Sequence, residues 1–118
     1  MLTRPNSKNR EDGTMPKFIF AYHGGKMPET EEEGAAVMAD WTNWFETLGA
    51  AVVDGGNPVG PSSTLQSDGS VTCDGGSNPL SGYSLINADS IEQATEFARG
   101  CPILKAEGSI EIAEAMEM

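Results

Sequence analysis

Apolar residues along this chain of 118 residues fall into short strand-like blocks and helical stripes, divided by glycine-rich breaks. From Lys17 to His23 the run Phe18, Ile19, Phe20, Ala21, Tyr22 is apolar on both faces and rich in β-formers. It stops at Gly24-Gly25, which predicts a central, buried strand. Thr30 with Glu33 makes a capping box, and Glu31 to Glu33 set negative charge against the positive end of a helix dipole. A helix therefore begins there. Its apolar residues Val37, Met38, Trp41, Trp44, Phe45 and Leu48 recur at helical spacing on one face, and Gly49 supplies the stop.

Ala50 to Val53 reads as a second short strand that ends in the turn-forming cluster Gly55-Gly56-Asn57-Pro58. Between Gly55 and Gly82 the chain turns to Gly, Pro, Ser and Asn. Within that stretch, Thr64 to Ser67 and Ser70 to Cys73 flank Asp68-Gly69, a dipeptide suited to a tight hairpin turn. Tyr83 to Ala88 is the next core strand, and Ser90 with Gln93 opens a second helix with Ile91, Ala94, Phe97 and Ala98 on one face. Gly100, Cys101 and Pro102 end it, and the alternation of Ser109 to Ala113 predicts a closing strand.

The order strand, helix, strand, hairpin, strand, helix, strand gives two βαβ halves, an α+β chain with the split arrangement of the ferredoxin-like fold, βαββαβ with an extra peripheral β-hairpin. Both helices must then lie on one face of a mainly antiparallel sheet, leaving the other face without cover inside one chain. A second copy is the simplest cover, so a homodimer is expected. Residues 1–15 are polar and without periodicity, and are expected to form a disordered N-terminal extension to a domain spanning 16–118. Met15-Pro16 looks like a second start, which makes that extension an upstream start choice or added sequence.

Charge narrows the partners. A formal net charge of -11, from 18 acidic against 7 basic residues, repels phosphate backbones and anionic headgroups, so no direct nucleic-acid partner is expected. No apolar run reaches the roughly 20 residues of a membrane span, and no secretory signal is evident, which predicts a cytoplasmic protein. Cys73 and Cys101 lie too far apart for a CxxC pattern and are read as free thiols. With one histidine and two isolated cysteines there is no ligand spacing for a metal, and no cofactor is expected.

The segments PKFIFAYHGGKMPET, DGGNPVGPS, SGYSLINADSIEQATEFARGCPIL and GSIEI resemble the YCII-related (DGPF) family over residues 15–118. The resemblance implies the dimeric α/β barrel form of the ferredoxin-like fold, and it favours the dimer independently. Some members of that family are suggested to be enzymes through a His–Asp pair, and some occur beside or fused to sigma factors. In the presumed enzymes the histidine lies in the first helix and the aspartate just before the proline that ends the second. This chain has no histidine in its first helix and carries Cys101 before Pro102, and the name-giving tetrapeptide reads Asp74-Gly75-Gly76-Ser77. The dyad is absent as such, which marks a divergent branch.

His23 is the first candidate for chemistry, since histidine alone titrates near neutrality unperturbed and this one ends a strand before Gly24-Gly25. Strand alternation puts it on the face of Ile19 and Ala21, opposite Phe18, Phe20 and Tyr22. Asp54, ending the second strand, is the candidate acid/base partner. Tyr22, Asn57 and Tyr83 are candidate ligand contacts, with Asp74 and Asn78 on the same loops. Trp41 and Trp44 read as core, and Cys101 as an inert packed thiol. Two functions remain: a non-catalytic dimeric module binding a small molecule or partner protein, in a regulatory setting, and a small cofactor-free lyase or isomerase using His23.

Overall fold

The computed structural model describes residues 15–117. The expected extension over residues 1–15 lies outside the described residues except at Met15. Six strands and three helices follow in the order β1 (Lys17–His23), α1 (Glu31–Leu48), β2 (Val52–Asp54), β3 (Thr64–Leu65), β4 (Val71–Thr72), β5 (Leu80–Asn87), α2 (Ile91–Ala98), α3 (Pro102–Lys105) and β6 (Ser109–Ala115). Strands β2, β5, β1 and β6 form, in that order, one four-stranded antiparallel sheet, so the chain is α+β and compatible with the ferredoxin-like class. β3 and β4 make a separate two-stranded hairpin.

Both capping boxes form. Thr30 Oγ1 accepts from the Glu33 N–H at 3.0 Å while the Glu33 carboxylate accepts from the Glu29 N–H at 2.9 Å. Ser90 and Gln93 repeat this at the start of α2. Each reciprocal pair satisfies one first-turn helix N–H, of Glu33 or Gln93, together with the N–H of the residue just before the cap, Glu29 or Asp89.

β1 sits at the centre of the sheet, between β5 and β6, because Phe18, Phe20 and Tyr22 give it one fully apolar side. Those three residues pack with Trp44 of α1, Ile86 of β5, Ala94 and Ala98 of α2, and Ile103 of α3. Burying each large apolar side chain contributes about 1.5–3 kcal/mol. Trp44 stacks on Phe20 with ring centroids 6.3 Å apart, and Trp41 meets Tyr22 edge-on at 5.1 Å. Both helices thus cover one face of the sheet. The molecule is 18 Å deep in its thinnest direction, the depth of one helix layer on one sheet.

The opposite face has no helix on it. Register places Ile19 between Leu85 and Ala113, and Ala21 between Tyr83 and Glu111. Ile19, Ala21, Tyr83, Leu85 and Ala113 form an apolar centre, bordered by Lys17, Asn87, His23, Ser109 and Glu111.

Four details depart from the sequence reading. The second strand begins at Val52: Gly49, at φ 58°, caps α1 as expected, but Gly49–Ala51 then form a separate 3-10 turn where strand was expected from Ala50. Pro102–Lys105 form a helical turn where an end was expected, since proline at a first helical position starts a turn as readily as it stops one. Val37 and Met38 of α1 and Ile91 of α2 are exposed although their spacing puts them on the apolar stripe. Cys101 lies at the N-terminal cap of α3 rather than in the stop of α2, which ends at Ala98.

Candidate functional site

His23 ends β1 on the open face of the sheet. Its Nδ1 lies 3.0 Å from the Asn78 carbonyl oxygen and 3.3 Å from that of Pro79, and its Nε2 lies 3.1 Å from Glu111 Oε1. Carbonyl oxygens only accept, so Nδ1 carries a hydrogen, and in the protonated ring Nε2 donates to Glu111 as well. The His23 side chain is 12% exposed and that of Glu111 72%. The ring therefore ties together β1, β6 and the strand-ward return of the long segment between β2 and β5. A bulge between Tyr22 and His23 in the β1–β5 pairing sets His23 opposite Leu80 and gives the ring this access.

Asp54 is not brought to His23. β5 lies between β1 and β2, and Asp54 pairs with Leu85 whereas His23 pairs with Leu80. Since Ile19 also pairs with Leu85, the two sites are separated by about 13 Å along the strands and about 10 Å across them. Asp54 Oδ1 instead accepts from the Gly56 N–H at 2.8 Å, a local turn contact. The carboxylate that does reach His23 is Glu111, one row away diagonally on the neighbouring strand.

Tyr22 faces the core, not the open face. Its hydroxyl donates to Ser84 Oγ at 2.7 Å, and Ser84 Oγ donates on to the Gly55 carbonyl at 2.7 Å. Burial pushes the Tyr22 phenol well above its ordinary range; the Ser84 hydrogen bond offsets part of this and the nearby Cys101 adds to it. Asn57 and Tyr83 do come together: the Tyr83 N–H donates to the Asn57 carbonyl at 3.3 Å, and Asn57 Nδ2 stands 3.5 Å from the Tyr83 hydroxyl. Asn57 lies beside Tyr83 along β5, where the segment that leaves β2 runs on through the Pro58–Gly82 bridge. Asp74 Oδ1 takes a turn contact from the Gly76 N–H, and Asn78 serves His23 through its backbone.

Trp44 is buried and donates its indole N–H to the Phe97 carbonyl at 2.9 Å, while Trp41 is half-buried against Tyr22. Both cysteines are free; Cys73 is exposed and Cys101 is buried. Burial pushes the Cys101 thiol up to about 12, against a lowering hydrogen bond from Ile103. Among the described residues no cluster of three or more ligating side chains could hold a metal ion, and no helix is long and apolar enough to cross a membrane.

Sequence reasoning did not single out Glu111 or Ser84. The alternation Ser109, Glu111, Ala113 was a signal for the first, but the register that sets Glu111 beside His23 is a property of the assembled sheet. No known protein family matches the chain, and no curated protein matches it.

Proposed function

We propose that the chain is a non-catalytic homodimeric module of the YCII-related kind, whose two sheets close face to face into a dimeric α/β barrel that takes a small molecule in a regulatory setting. The observation that carries this reading is the open sheet face, with its apolar centre at Ile19, Ala21, Tyr83, Leu85 and Ala113 and its polar border. Ile19 stays 38% exposed at the middle of the central strand, in a position where a monomer ordinarily buries such a side chain. An apolar centre within a polar rim is the anatomy of an association surface, and a stable pair buries about 1,600 Å² in total. The engagement of both His23 nitrogens by the protein itself supports the non-catalytic part, because the ring has no free nitrogen for a substrate.

Sedimentation tests it. Wild type sediments as a dimer at micromolar concentration, and Ile19→Glu gives a folded monomer by circular dichroism. A wild-type protein that is folded and monomeric at that concentration refutes the reading. In a thermal-shift screen, hits that stabilise wild type by mass action and vanish in Ile19→Glu support a ligand within the shared barrel.

One observation favours a second reading. Glu111 is mostly exposed and is the one His23 partner free to swing away, which would open Nε2 to a substrate as an acid/base group in a small lyase or isomerase. A turnover found by substrate screening that is lost in His23→Ala supports this alternative; turnover that survives the substitution removes it.

A further inference from the structure

A groove of about 280 Å³ lies on the helical side of the molecule, between α1 and the turn into α3, away from the open sheet face. We propose that it binds a small zwitterion of the free α-amino acid kind, with the ammonium at Asp40 and the carboxylate at Lys105. The site does not rest on dimer formation.

Asp40, Asn43, Trp44 and Thr47 form one wall, at the helical spacing i, i+3, i+4 and i+7 that brings them onto a single stripe of α1. Gly100, Pro102 and Lys105 form the other. The floor is apolar and fixed. Trp44 is 6% exposed and its indole N–H is committed to the Phe97 carbonyl at 2.9 Å, so what it offers the groove is hydrocarbon edge. Gly100 leaves this floor clear: a Cβ there would stand 3.3 Å from Trp44 Cδ1. Buried Pro102 completes the apolar strip.

The charges above that floor are opposite and uncommitted. Among the described residues, Lys26 is paired with Glu107 at 2.8 Å and Arg99 with Glu96 at 2.9 Å, whereas neither Lys105 nor Asp40 has an ion-pair partner. They face one groove without reaching each other within 4.0 Å. Thr47 is already engaged through its hydroxyl with the Asn43 carbonyl at 2.9 Å, but the Asn43 side-chain amide is free to bond either end of a ligand.

Volume and net charge both limit the ligand class. The groove is open to solvent, and its volume of about 280 Å³, just below the usual range for small-molecule sites, limits the ligand to about the size of a single amino acid. A protein with a net charge of -11 repels a simple anion but not a molecule whose charges cancel. A lone amine would leave Lys105 without a counter-charge, and a lone carboxylate would meet Asp40.

The test follows the Trp44 indole N–H resonance, assigned through Trp41→Phe, while each of the twenty common α-amino acids is added singly to the full chain. At least one gives a saturable shift, and its N-acetyl and carboxamide forms bind about tenfold or more weakly, a loss of about 1.4 kcal/mol for each removed charge. Asp40→Asn and Lys105→Met reproduce those losses. Both side chains are exposed, so unchanged circular dichroism separates lost binding from lost fold. The proposal is overturned if no amino acid gives a saturable shift. Equal binding of the blocked forms, or full binding by both variants, overturns it as well.

Discussion

The buried relay from Tyr22 through Ser84 to Gly55 permits a quantitative test of how the core is tied to the first turn of the long loop. Ser84 is fully buried and acts twice, as acceptor for the Tyr22 hydroxyl and as donor to the Gly55 carbonyl, each at 2.7 Å. Ser84→Ala strands a buried phenol donor, at a cost of about 1–3 kcal/mol, and removes an ordinary hydrogen bond to a half-buried carbonyl, worth about 1 kcal/mol. The expected loss is about 2–4 kcal/mol. Tyr22→Phe deletes the donor but leaves Ser84 bonded to Gly55, so it costs about 1 kcal/mol.

In the double variant the stranded hydroxyl no longer exists, so the total loss falls short of the sum of the single losses by about 1 kcal/mol or more. Urea unfolding at one fixed protein concentration measures all four corners of this cycle and keeps any self-association constant. Additive losses, or a Ser84→Ala cost under about 0.5 kcal/mol, would show that the relay contributes no coupled stability.

The backbone and the thiols supply further tests. Gly56→Ala would place a Cβ 1.7 Å from the Tyr83 carbonyl oxygen at φ +72°, so it should cost more than about 4 kcal/mol or abolish folding. Gly69→Ala, at φ +92° in open space, should cost only about 1–2 kcal/mol by the same urea unfolding, and equal effects would refute the steric argument. A thiol reagent at pH 8 should label Cys73 in the folded protein and reach Cys101 only after denaturation, and two native thiols of similar rate would contradict the burial.

Alkaline pH should destabilise the fold. A thiol raised to about 12 in the folded state contributes fully below its unfolded value near 8.5, and that contribution is lost as pH climbs, by about 1.4 kcal/mol per unit. Tyr22 adds to the loss above about pH 10, so the melting temperature should hold to about pH 8 and fall beyond pH 9.

The limits of local patterning show in particular residues. Lys17–His23 was legible to the residue, because a block of β-formers closed by two glycines carries its own boundaries. Both helix starts were legible for a similar reason, since a capping box is chemistry within four residues. The hairpin was placed by Asp68-Gly69, although its paired strands are shorter than the flanking segments suggested. Periodicity identified the apolar stripe of α1 but not how much of it has a partner, so Val37 and Met38 were assigned to a core that does not extend beneath them. His23 was found as a site residue because of its side chain and its strand end. Its partner was not, because adjacency along the chain favoured Asp54, whereas strand order and register select Glu111.

The long crossing from β2 to β5 is fastened at both feet. Pro58 bridges to Gly82 on one side, and the Asn78 and Pro79 carbonyls meet His23 on the other. Between those feet, the hairpin pairs only with itself. Changes in length around Asp68-Gly69 should therefore not propagate into the sheet, which makes this tip a suitable place to graft a peptide tag or a fluorescent reporter.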